Sequence, residues 1–335
     1  MKLIIQIPCL NEAETLAIAL AELPKQIPGI DVIETLIIDD GCTDNTVEVA
    51  KANGVQHVVG FRNNQGLARA FMLGLDACLE RGADIIVNTD ADNQYNAADI
   101  ALLVKPILEE RADLVIGARP ITEIKHFSLI KKILQRVGSW VVRRVSNTDV
   151  ADAPSGFRAM SREVAMVLNV FSDYTYTLET IIQAGQKNLR ISSVPIRVNG
   201  ELRPSRLVRS IGSYVRRSIL TMLRIFVVYR PLRFFLAVSL VPLVLGLGLG
   251  LRFVMFYVQG AGGGHVQSLI LAALLLMVAF QTMLLAVLSD LQSVNRRLLE
   301  DLQQRERRRR VRESMRPPAM PYYDRDGQLD RIAPS

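Results

Sequence analysis

Two long apolar runs near the C-terminal end constrain the fold of this chain more than any other feature. Residues 234–258 carry one charged side chain, Arg252, and residues 266–288 carry none. Each run is long enough to cross the hydrocarbon core of a bilayer, which takes about 20 residues in a helix. Buried strands or core helices of soluble proteins are usually shorter than such runs. The sequence therefore predicts a hairpin of two transmembrane helices over 234–289.

The charges around these runs indicate their orientation. The short connection between them has no Lys or Arg, whereas arginines flank both outer ends, at Arg230, Arg233, Arg296, Arg297 and 305–310. Because Lys and Arg collect on the cytoplasmic side, both flanks are expected there. The N-terminus lacks a charged region followed by a long apolar core, so no signal peptide is predicted. We expect an integral protein of a bacterial inner membrane, with its N-terminal domain and both termini in the cytoplasm.

The segment before the hairpin, residues 206–233, is predicted to be an amphipathic interfacial helix. Its arginines fall on one side of a helical wheel and its apolar residues on the other, which suits a membrane interface. An ordinary surface helix is the alternative. The net charge is +7, and most of the arginine lies after residue 200. These arginines border the apolar runs and lack interleaved aromatic residues on a folded platform, so a lipid bilayer is the expected partner and nucleic acid is not.

The last segment, residues 290–335, is predicted to be a basic cytoplasmic tail. Its first part continues the second apolar run as a helix, and its arginines either touch anionic lipid or form a solvated charge run. Leu291, Leu298 and Leu302 recur at helical spacing and permit a short pairing seam, hence a homo-oligomer. Beyond Pro317 the sequence is polar and contains proline, which is typical of disorder.

Residues 1–205 alternate between strand and helix patterns. Apolar runs of strand length occur at 3–7, 35–38, 85–87 and 114–116, each before a polar turn. Asn11 and Glu14 resemble a capping box that opens a helix ending before Pro24, and a second helix is predicted from Gly66 to Glu80. This alternation predicts an α/β domain with a Rossmann-like, mostly parallel sheet. In such sheets ligands bind at the carboxyl ends of the strands.

The polar turn Asp90-Ala91-Asp92-Asn93-Gln94 follows one of these predicted strands. Two carboxylates one residue apart can hold a hard divalent cation, Mg²⁺ or Mn²⁺, together with substrate phosphates. Asp-x-Asp pairs also occur as plain turn formers. Their position at a strand end favours the metal site, where the cation would neutralise the charge that develops on a leaving diphosphate.

Two further polar clusters follow predicted strands. One is Asp39-Asp40-Gly41-Cys42-Thr43-Asp44, whose carboxylates can accept hydrogen bonds from a base or a ribose hydroxyl. The other is Ile7-Pro8-Cys9-Leu10-Asn11-Glu12. The alternative for both clusters is helix capping, by Thr43 and Asp44 in the first and by Asn11 in the second.

Taken together, these motifs resemble the family 2 glycosyltransferases of the GT-A fold. The resemblance also rests on Asn64-Gln65-Gly66-Leu67-Ala68-Arg69-Ala70 and on Asp152-Ala153-Pro154-Ser155-Gly156-Phe157-Arg158. Within that family the chain looks most like the polyprenyl-phosphate subgroup, which includes dolichyl-phosphate mannose synthases and bacterial bactoprenol glucosyltransferases. Cys42 departs from the usual serine and is not expected to disturb the turn.

The resemblance implies roles for individual residues. A nucleotide-sugar donor would be bound by Pro8, Asn11, Glu12, Asp39, Asp40, Gly66 and Asp90, with Asp40 as the contact to the base. The metal would be held by Asp90, Asp92 and Gln94. The catalytic group would be Asp92, Arg119 and Asp152. The phosphate of the lipid would be bound by Arg203, Ser205 and Arg206, although Pro204 makes the last match imperfect.

The expected reaction is transfer of a sugar from the donor to a polyprenyl phosphate, with inversion at the anomeric carbon. A phosphate monoester has a second pKa of about 6, so its oxygen is already a nucleophile near neutral pH. Asp152 is therefore expected to orient groups rather than to remove a proton. Two alternatives stay open at this point: transfer to a hydroxyl of another lipid or a glycan, and a non-catalytic membrane adaptor with a degenerate transferase domain.

Overall fold

The computed structural model describes residues 1–120, 137–140, 142–144, 146, 148–170, 176–200, 216, 219–221, 223–224, 227–260 and 262–314. The predicted lipid-phosphate residues Arg203, Ser205 and Arg206 lie outside this part of the chain. So do most of the predicted interfacial helix and the segment beyond Pro317.

A seven-stranded sheet forms the centre of the N-terminal domain. Its strands are β1 (Lys2–Cys9), β2 (Val32–Asp39), β3 (His57–Gly60), β4 (Ile85–Asn88), β5 (Leu114–Ala118), β6 (Arg158–Ser161) and β7 (Ile191–Pro195). The strand order is β3-β2-β1-β4-β6-β5-β7. All neighbours pair in parallel except β6, which runs antiparallel to both β4 and β5. The predicted α/β domain with a mostly parallel sheet is confirmed.

Helices cover both faces of this sheet. They are α1 (Ala13–Ala21), α2 (Thr46–Ala52), α3 (Leu67–Glu80), α4 (Ile100–Leu108), α5 (Arg162–Val167) and α6 (Thr177–Gln186), with a 3₁₀ turn at Ala97–Asp99. Strand β1 is buried on both sides: Ile4 packs into the core cluster under α3, whereas Leu3, Ile5 and Ile7 pack into the opposite cluster. This two-sided burial is why the run is continuously apolar rather than alternating.

Two long apolar helices follow the domain, α7 (Pro231–Val258) and α8 (Val266–Ser314), with a 3₁₀ turn at Gly262–His265 between them. Both are long and apolar enough to cross a membrane. Their apolar side chains are largely exposed, such as Leu240 at 56% and Leu274 at 54%, unlike those of a core helix in a soluble protein. Helices α7 and α8 are therefore candidate membrane spans, and α8 continues past its apolar part as the sequence predicted.

Candidate active site

The carboxyl ends of the parallel strands bring the predicted motifs to one edge of the sheet. Strands β1, β2 and β4 end there at Cys9, Asp39 and Asn88. Because β6 is antiparallel, it begins at this edge, with Arg158 opposite Asn88. The segment that contains Asp152 leads directly into β6, so it too reaches this edge. The loop before α3 joins them, because the backbone N–H groups of Gln65 and Gly66 bind Asp40. Motifs from five separate parts of the sequence therefore meet where α/β domains bind ligands.

Pro8 fits the central strand β1 because of where β4 stops. The pairing between β1 and β4 covers Leu3 to Gln6, so Pro8 lies beyond the last pair, Gln6 with Asn88. A proline without a backbone N–H is tolerated at such a position. Pro8 is buried, and it still pairs in register with Ile38 of β2.

Asn11 ties the ends of β1 and β2 together. It has a positive φ of 55°. Its side-chain oxygen accepts hydrogen bonds from the backbone N–H and the hydroxyl of Thr43, at 2.8 and 3.3 Å. Its backbone N–H donates to the sulfur of Cys42 at 3.3 Å. The predicted capping box is wrong: α1 begins after Glu12, whose side chain makes no cap hydrogen bond, and Asn11 bonds across the edge instead. The first N–H of α1, that of Ala13, donates to the carboxylate of Asp44 at 3.2 Å.

Glu12 and Asp39 complete this part of the edge. The backbone N–H of Glu12 donates to the hydroxyl of Thr46 at 2.8 Å, and its carboxylate accepts from the hydroxyl of Thr15 at 3.1 Å. Asp39 accepts from the backbone N–H of Cys42 at 2.7 Å. These bonds fix the turn after β2 against the turn after β1, as a binding site for a rigid ring would require.

Asp40 anchors the loop that precedes α3. Its side chain is 4% exposed, and its Oδ1 accepts from the backbone N–H of Gln65 at 2.8 Å. The N–H of Gly66 lies 3.0 Å from Oδ2. This loop packs directly over Gly41, where a Cβ atom would lie 2.5 Å from the backbone of Asn63. Burial raises the pKa of Asp40, and the two amides oppose that rise. Its role as the contact to the base remains a prediction.

Asp90 and Asp92 lie on the turn after β4. Burial is the main cause that raises the pKa of Asp90 to about 7, and the charge of Asp92 adds to it, whereas Arg119 and Arg158 oppose it. The carboxylate of Asp90 lies against Gly156, where a Cβ atom would be 3.1 Å from Oδ2 and 3.2 Å from Oδ1. Two carboxyl groups thus share a confined space in which both cannot easily be charged.

This pair fits a hard divalent cation in the presence of a phosphate-bearing ligand. Within the described ranges, no group of three or more His, Cys, Asp and Glu side chains could hold a metal alone. Mg²⁺ is usually bound through one or two carboxylates, with phosphates and water completing its shell. Asp92 also accepts from the backbone N–H of Gln94 at 3.2 Å, which shapes the turn. The predicted role of the Gln94 side chain as a ligand remains a prediction.

Arg119 and Asp152 form a bidentate ion pair at the end of β5. Arg119 Nε lies 2.6 Å from Asp152 Oδ2 and Nη2 lies 3.0 Å from Oδ1. The side chain of Asp152 is 1% exposed and that of Arg119 is 13% exposed. Burial alone would lower the pKa of Arg119, but Tyr95, Asp152 and Asp90 together raise it. Each Asp152 oxygen therefore accepts a hydrogen bond from a permanently charged partner, and the side chain is almost wholly buried.

A buried network behind Asp90 was not predicted from the sequence. Asn88 donates to the hydroxyl of Tyr176 at 2.8 Å and to the carbonyl of Gly156 at 3.0 Å. It also accepts from the side chain of Gln6 at 2.9 Å. The hydroxyl of Tyr95 accepts from the backbone N–H of Gly156 at 3.1 Å. The network fixes Gly156, and through it the space beside Asp90.

Arg158 is fully buried in the same region. Its guanidinium donates to the carbonyl of Thr177 at 3.2 Å and lies 5.3 Å from the ring centroid of Tyr176. Tyr176 in turn stacks on Phe71 at 3.9 Å. Burial lowers the pKa of Arg158, an effect that Tyr176, Tyr95, Asp152 and Asp90 oppose. In the sequence, the only signal for Arg158 was its position in the Gly-Phe-Arg motif. No sequence feature singled out Tyr176.

Comparison with known proteins is consistent with this geometry. Residues 4–168 match the family described as Glycosyl transferase family 2. An undecaprenyl-phosphate mannosyltransferase of Micrococcus luteus is 27% identical over 58% of this chain and 83% of its own length. A UDP-N-acetylglucosamine–dolichyl-phosphate N-acetylglucosaminyltransferase of Methanococcus voltae is 31% identical over 48% of this chain and 73% of its own length.

A solved structure shares the fold. Glucosyl-3-phosphoglycerate synthase of Mycobacterium tuberculosis, in complex with phosphoglyceric acid, superposes with a TM-score of 0.53 at 24% identity. The match covers 67% of this chain and 79% of that one. The same enzyme has been solved with Mn²⁺, UDP-glucose and phosphoglyceric acid, with a TM-score of 0.52 to this chain.

Proposed function

Because this chain belongs to the family 2 glycosyltransferases, we propose that it transfers a sugar from a nucleotide sugar to a polyprenyl phosphate at the cytoplasmic face of a membrane. Relatives named for polyprenyl-phosphate and dolichyl-phosphate transfer support the acceptor class. The two candidate spans support a lipid acceptor, and the arginines on their outer flanks support the cytoplasmic side.

On the donor side, Asp90 and Asp92 would hold Mg²⁺ or Mn²⁺, and Asp39, Asn11 and Glu12 would line the nucleotide pocket. When bound, the cation would neutralise charge on the leaving diphosphate. The turn after β4 would hold the diphosphate at the sheet edge, because its backbone is fixed by Asp92 and by the network around Gly156. The solved synthase that binds Mn²⁺ and UDP-glucose supports this assignment by its shared fold.

On the acceptor side, the ion pair between Arg119 and Asp152 carries the proposal. A general base for a hydroxyl acceptor needs a carboxylate oxygen within reach of the proton that it removes. Both oxygens of Asp152 already accept hydrogen bonds from Arg119. An acceptor that is ionised on arrival, such as a phosphate monoester, needs no such base. Asp152 would then orient Arg119 toward the phosphate groups.

The proposed chemistry is a single in-line displacement at the anomeric carbon, with inversion. One bond forms from a phosphate oxygen of the lipid to the anomeric carbon, and the bond to the leaving diphosphate breaks. The residues of this chain contribute positioning and charge stabilisation rather than a covalent intermediate. Arg203, Ser205 and Arg206 are proposed to bind the phosphate of the lipid.

The test is transfer of a labelled sugar in membranes that contain the protein. Membranes with polyprenyl phosphate and Mn²⁺ receive a panel of radiolabelled nucleotide sugars, and the lipid is then extracted. We expect a labelled, mild-acid-labile lipid with one donor. The label should be lost with Asp92→Asn and kept with Asp301→Asn, the same substitution on an exposed face of α8.

Two results would overturn this proposal. Label in diacylglycerol or glycan but not in polyprenyl phosphate would assign the acceptor to a hydroxyl. Failure to bind any nucleotide or Mn²⁺ would favour an adaptor without catalysis.

A further inference from the structure

One side of α8 is buried along most of its length. Six of its seven buried residues recur every seventh position, Ala272, Ala279, Ala286, Ser293, Glu300 and Arg307, and the remaining one is Val311. Seven residues make nearly two turns, so these side chains lie on one side of the helix, with a drift of about 20° per repeat. The first three lie in the apolar part of α8 and the last three beyond it. This buried stripe of α8 therefore contacts two different parts of the protein, α7 and the transferase domain.

The part of the stripe that contains Ala272 packs on α7. Helix α7 has Gly246 at the contact, where a Cβ atom would lie 3.2 Å from the carbonyl oxygen of Ala272 and 3.1 Å from Leu276. Small residues on both sides let the two backbones approach closely, which stabilises helix pairs in membranes. The hairpin thus fixes the rotation of α8 about its own axis.

The part of the stripe beyond the apolar run docks on the transferase domain through Arg307. This side chain is 9% exposed. Its Nη1 donates to the carbonyls of Ala165 and Leu168, at 3.3 and 2.5 Å. These carbonyls lie at the end of α5, where a helix leaves its last C=O groups without intrahelical partners. Arg307 Nε lies 2.7 Å from Asp76 Oδ1, on α3.

Further contacts extend this docking along α8. Lys187 donates to the carbonyl of Val167 at 3.1 Å and to Gln304 at 3.5 Å. Val311 is 3% exposed and belongs to the core cluster of the domain. Closer to the membrane, the guanidinium of Arg296 lies 4.2 Å from the ring centroid of Tyr229. The domain is thus held by more than one turn of α8.

The docked end of α8 contacts α3, the helix that follows the loop anchored by Asp40. Asp76 belongs to α3, and the first turn of α3 follows Gly66, whose N–H binds Asp40. Arg69 on α3 donates to Gln65 in the same loop at 2.7 Å. A cleft of about 1010 Å³ between α3 and α8 is bordered by Arg69 and Arg305. The contacts of α8 therefore lie on an element that carries part of the candidate active site.

Arg307 does not act as an anchor for lipid headgroups. A helix rises about 1.5 Å per residue, so Arg307 lies about 28 Å along α8 from Leu288, the end of the apolar run. Attraction to anionic headgroups falls off within about 8 Å at physiological salt. The side chain is also buried against protein. The sequence left a solvated charge run or a lipid contact open for this cluster, and neither describes Arg307.

We propose that residues 291–314 of α8 form a strut that sets the height and orientation of the active site above the membrane, with Arg307 as its main positioning residue. The strut rests on the proposed function, because it matters only for an acceptor held in the bilayer. A membrane-embedded phosphate reaches the donor only if the domain stands at a fixed distance, and such positioning contributes strongly to rate. A water-soluble acceptor diffuses to the site and does not need the strut.

The test compares two acceptors with the full-length protein in liposomes. One acceptor is a long-chain polyprenyl phosphate in the bilayer, and the other is a short-chain, water-soluble polyprenyl phosphate. For Arg307→Ala we expect transfer to the long-chain acceptor to fall about tenfold or more. Transfer to the soluble acceptor should stay within about twofold. Arg308→Ala, on an exposed face of the same helix, should leave both rates unchanged.

A second variant separates positioning from folding. Seven residues inserted after Asp290 keep the stripe on the same side of α8 but lift the docked domain by about 10 Å. We expect loss of transfer to the embedded acceptor alone. An equal loss of transfer to both acceptors would overturn the proposed strut. So would unchanged transfer to the embedded acceptor in both variants. If the wild-type protein transferred to neither phosphate, the proposed function would fail first and the strut with it.

Discussion

Binding of Mn²⁺ should depend steeply on pH because of Asp90. Burial raises the pKa of this carboxyl to about 7, and Asp92 adds to the rise. Below that pH Asp90 carries a proton, which a metal must displace, since only the carboxylate is a ligand. Above it, Asp90 is ionised and ready to bind. The affinity of the site for Mn²⁺ should therefore increase as the pH rises through 7.

The size of this effect follows from the pKa. With a pKa of about 7, the ionised fraction of Asp90 is about one tenth at pH 6 and about nine tenths at pH 8. The apparent affinity for Mn²⁺ should then rise about tenfold between these two pH values. Without metal, the raised pKa of Asp90 makes the free energy of unfolding change with pH in the opposite direction. The native state binds more protons than the unfolded chain between about pH 4 and 7, so metal-free stability should fall as the pH rises through that window.

The assay is a Mn²⁺ titration of the detergent-solubilised protein, followed by electron paramagnetic resonance of the free ion. The Kd is measured at pH 6, 7 and 8 for the wild type, for Asp90→Asn and for the distant control Asp301→Asn. We expect weak, pH-independent binding for Asp90→Asn and wild-type behaviour for the control. A wild-type Kd that does not change between pH 6 and 8 would refute the reasoning. So would an equal pH dependence in Asp90→Asn.

Two further predictions concern Asp152 and Gly156. Asp152→Asn should lower kcat for polyprenyl phosphate by about tenfold or less, because loss of a true general base would cost about 10²–10⁴; a loss in that larger range would assign Asp152 as a base. Gly156→Ala should weaken Mn²⁺ binding and lower the free energy of unfolding by about 1–3 kcal/mol, since its Cβ would lie 3.1 Å from both Asp90 Oδ2 and the hydroxyl of Tyr176. In the matched control Gly200→Ala, no atom lies within 4 Å of the added Cβ, and an equal effect there would contradict this account.

Local patterns predicted the elements that carry the motifs, but not how the sheet is completed. The runs that became β1, β2, β4 and β5 are apolar and end in polar turns, which periodicity detects. Strand β6 consists of Arg158-Ala159-Met160-Ser161 and has no β-branched residue. It forms because it pairs antiparallel with both β4 and β5. Strands β3 and β7 are also short, and they are edge strands whose pairing depends on their neighbours.

The support of the site depends on contacts that are distant in sequence. Asn11 has the local pattern of a helix cap, yet its partner Thr43 lies 32 residues away. Asn88 and Tyr176 are separated by 88 residues. Arg307 belongs to an arginine-rich run that looks solvated in the sequence. The structure buries Arg307, and the charge pattern alone could not predict this. Sequence patterns located the motifs that meet at the sheet edge, whereas the residues that support these motifs depend on tertiary packing.

The charge balance at the sheet edge argues for a divalent cation independently of the motif. Among the described residues that act on Asp90, Arg119 or Arg158, the carboxyl groups are those of Glu12, Asp90, Asp92 and Asp152, and the guanidinium groups are those of Arg119 and Arg158. Arg119 is engaged by Asp152, and Arg158 is buried behind the site. Burial and then the charge of Asp92 raise the pKa of Asp90, so without a cation Asp90 keeps its proton to about pH 7. A donor diphosphate would add more negative charge, so metal and donor should bind cooperatively, each lowering the electrostatic cost of the other.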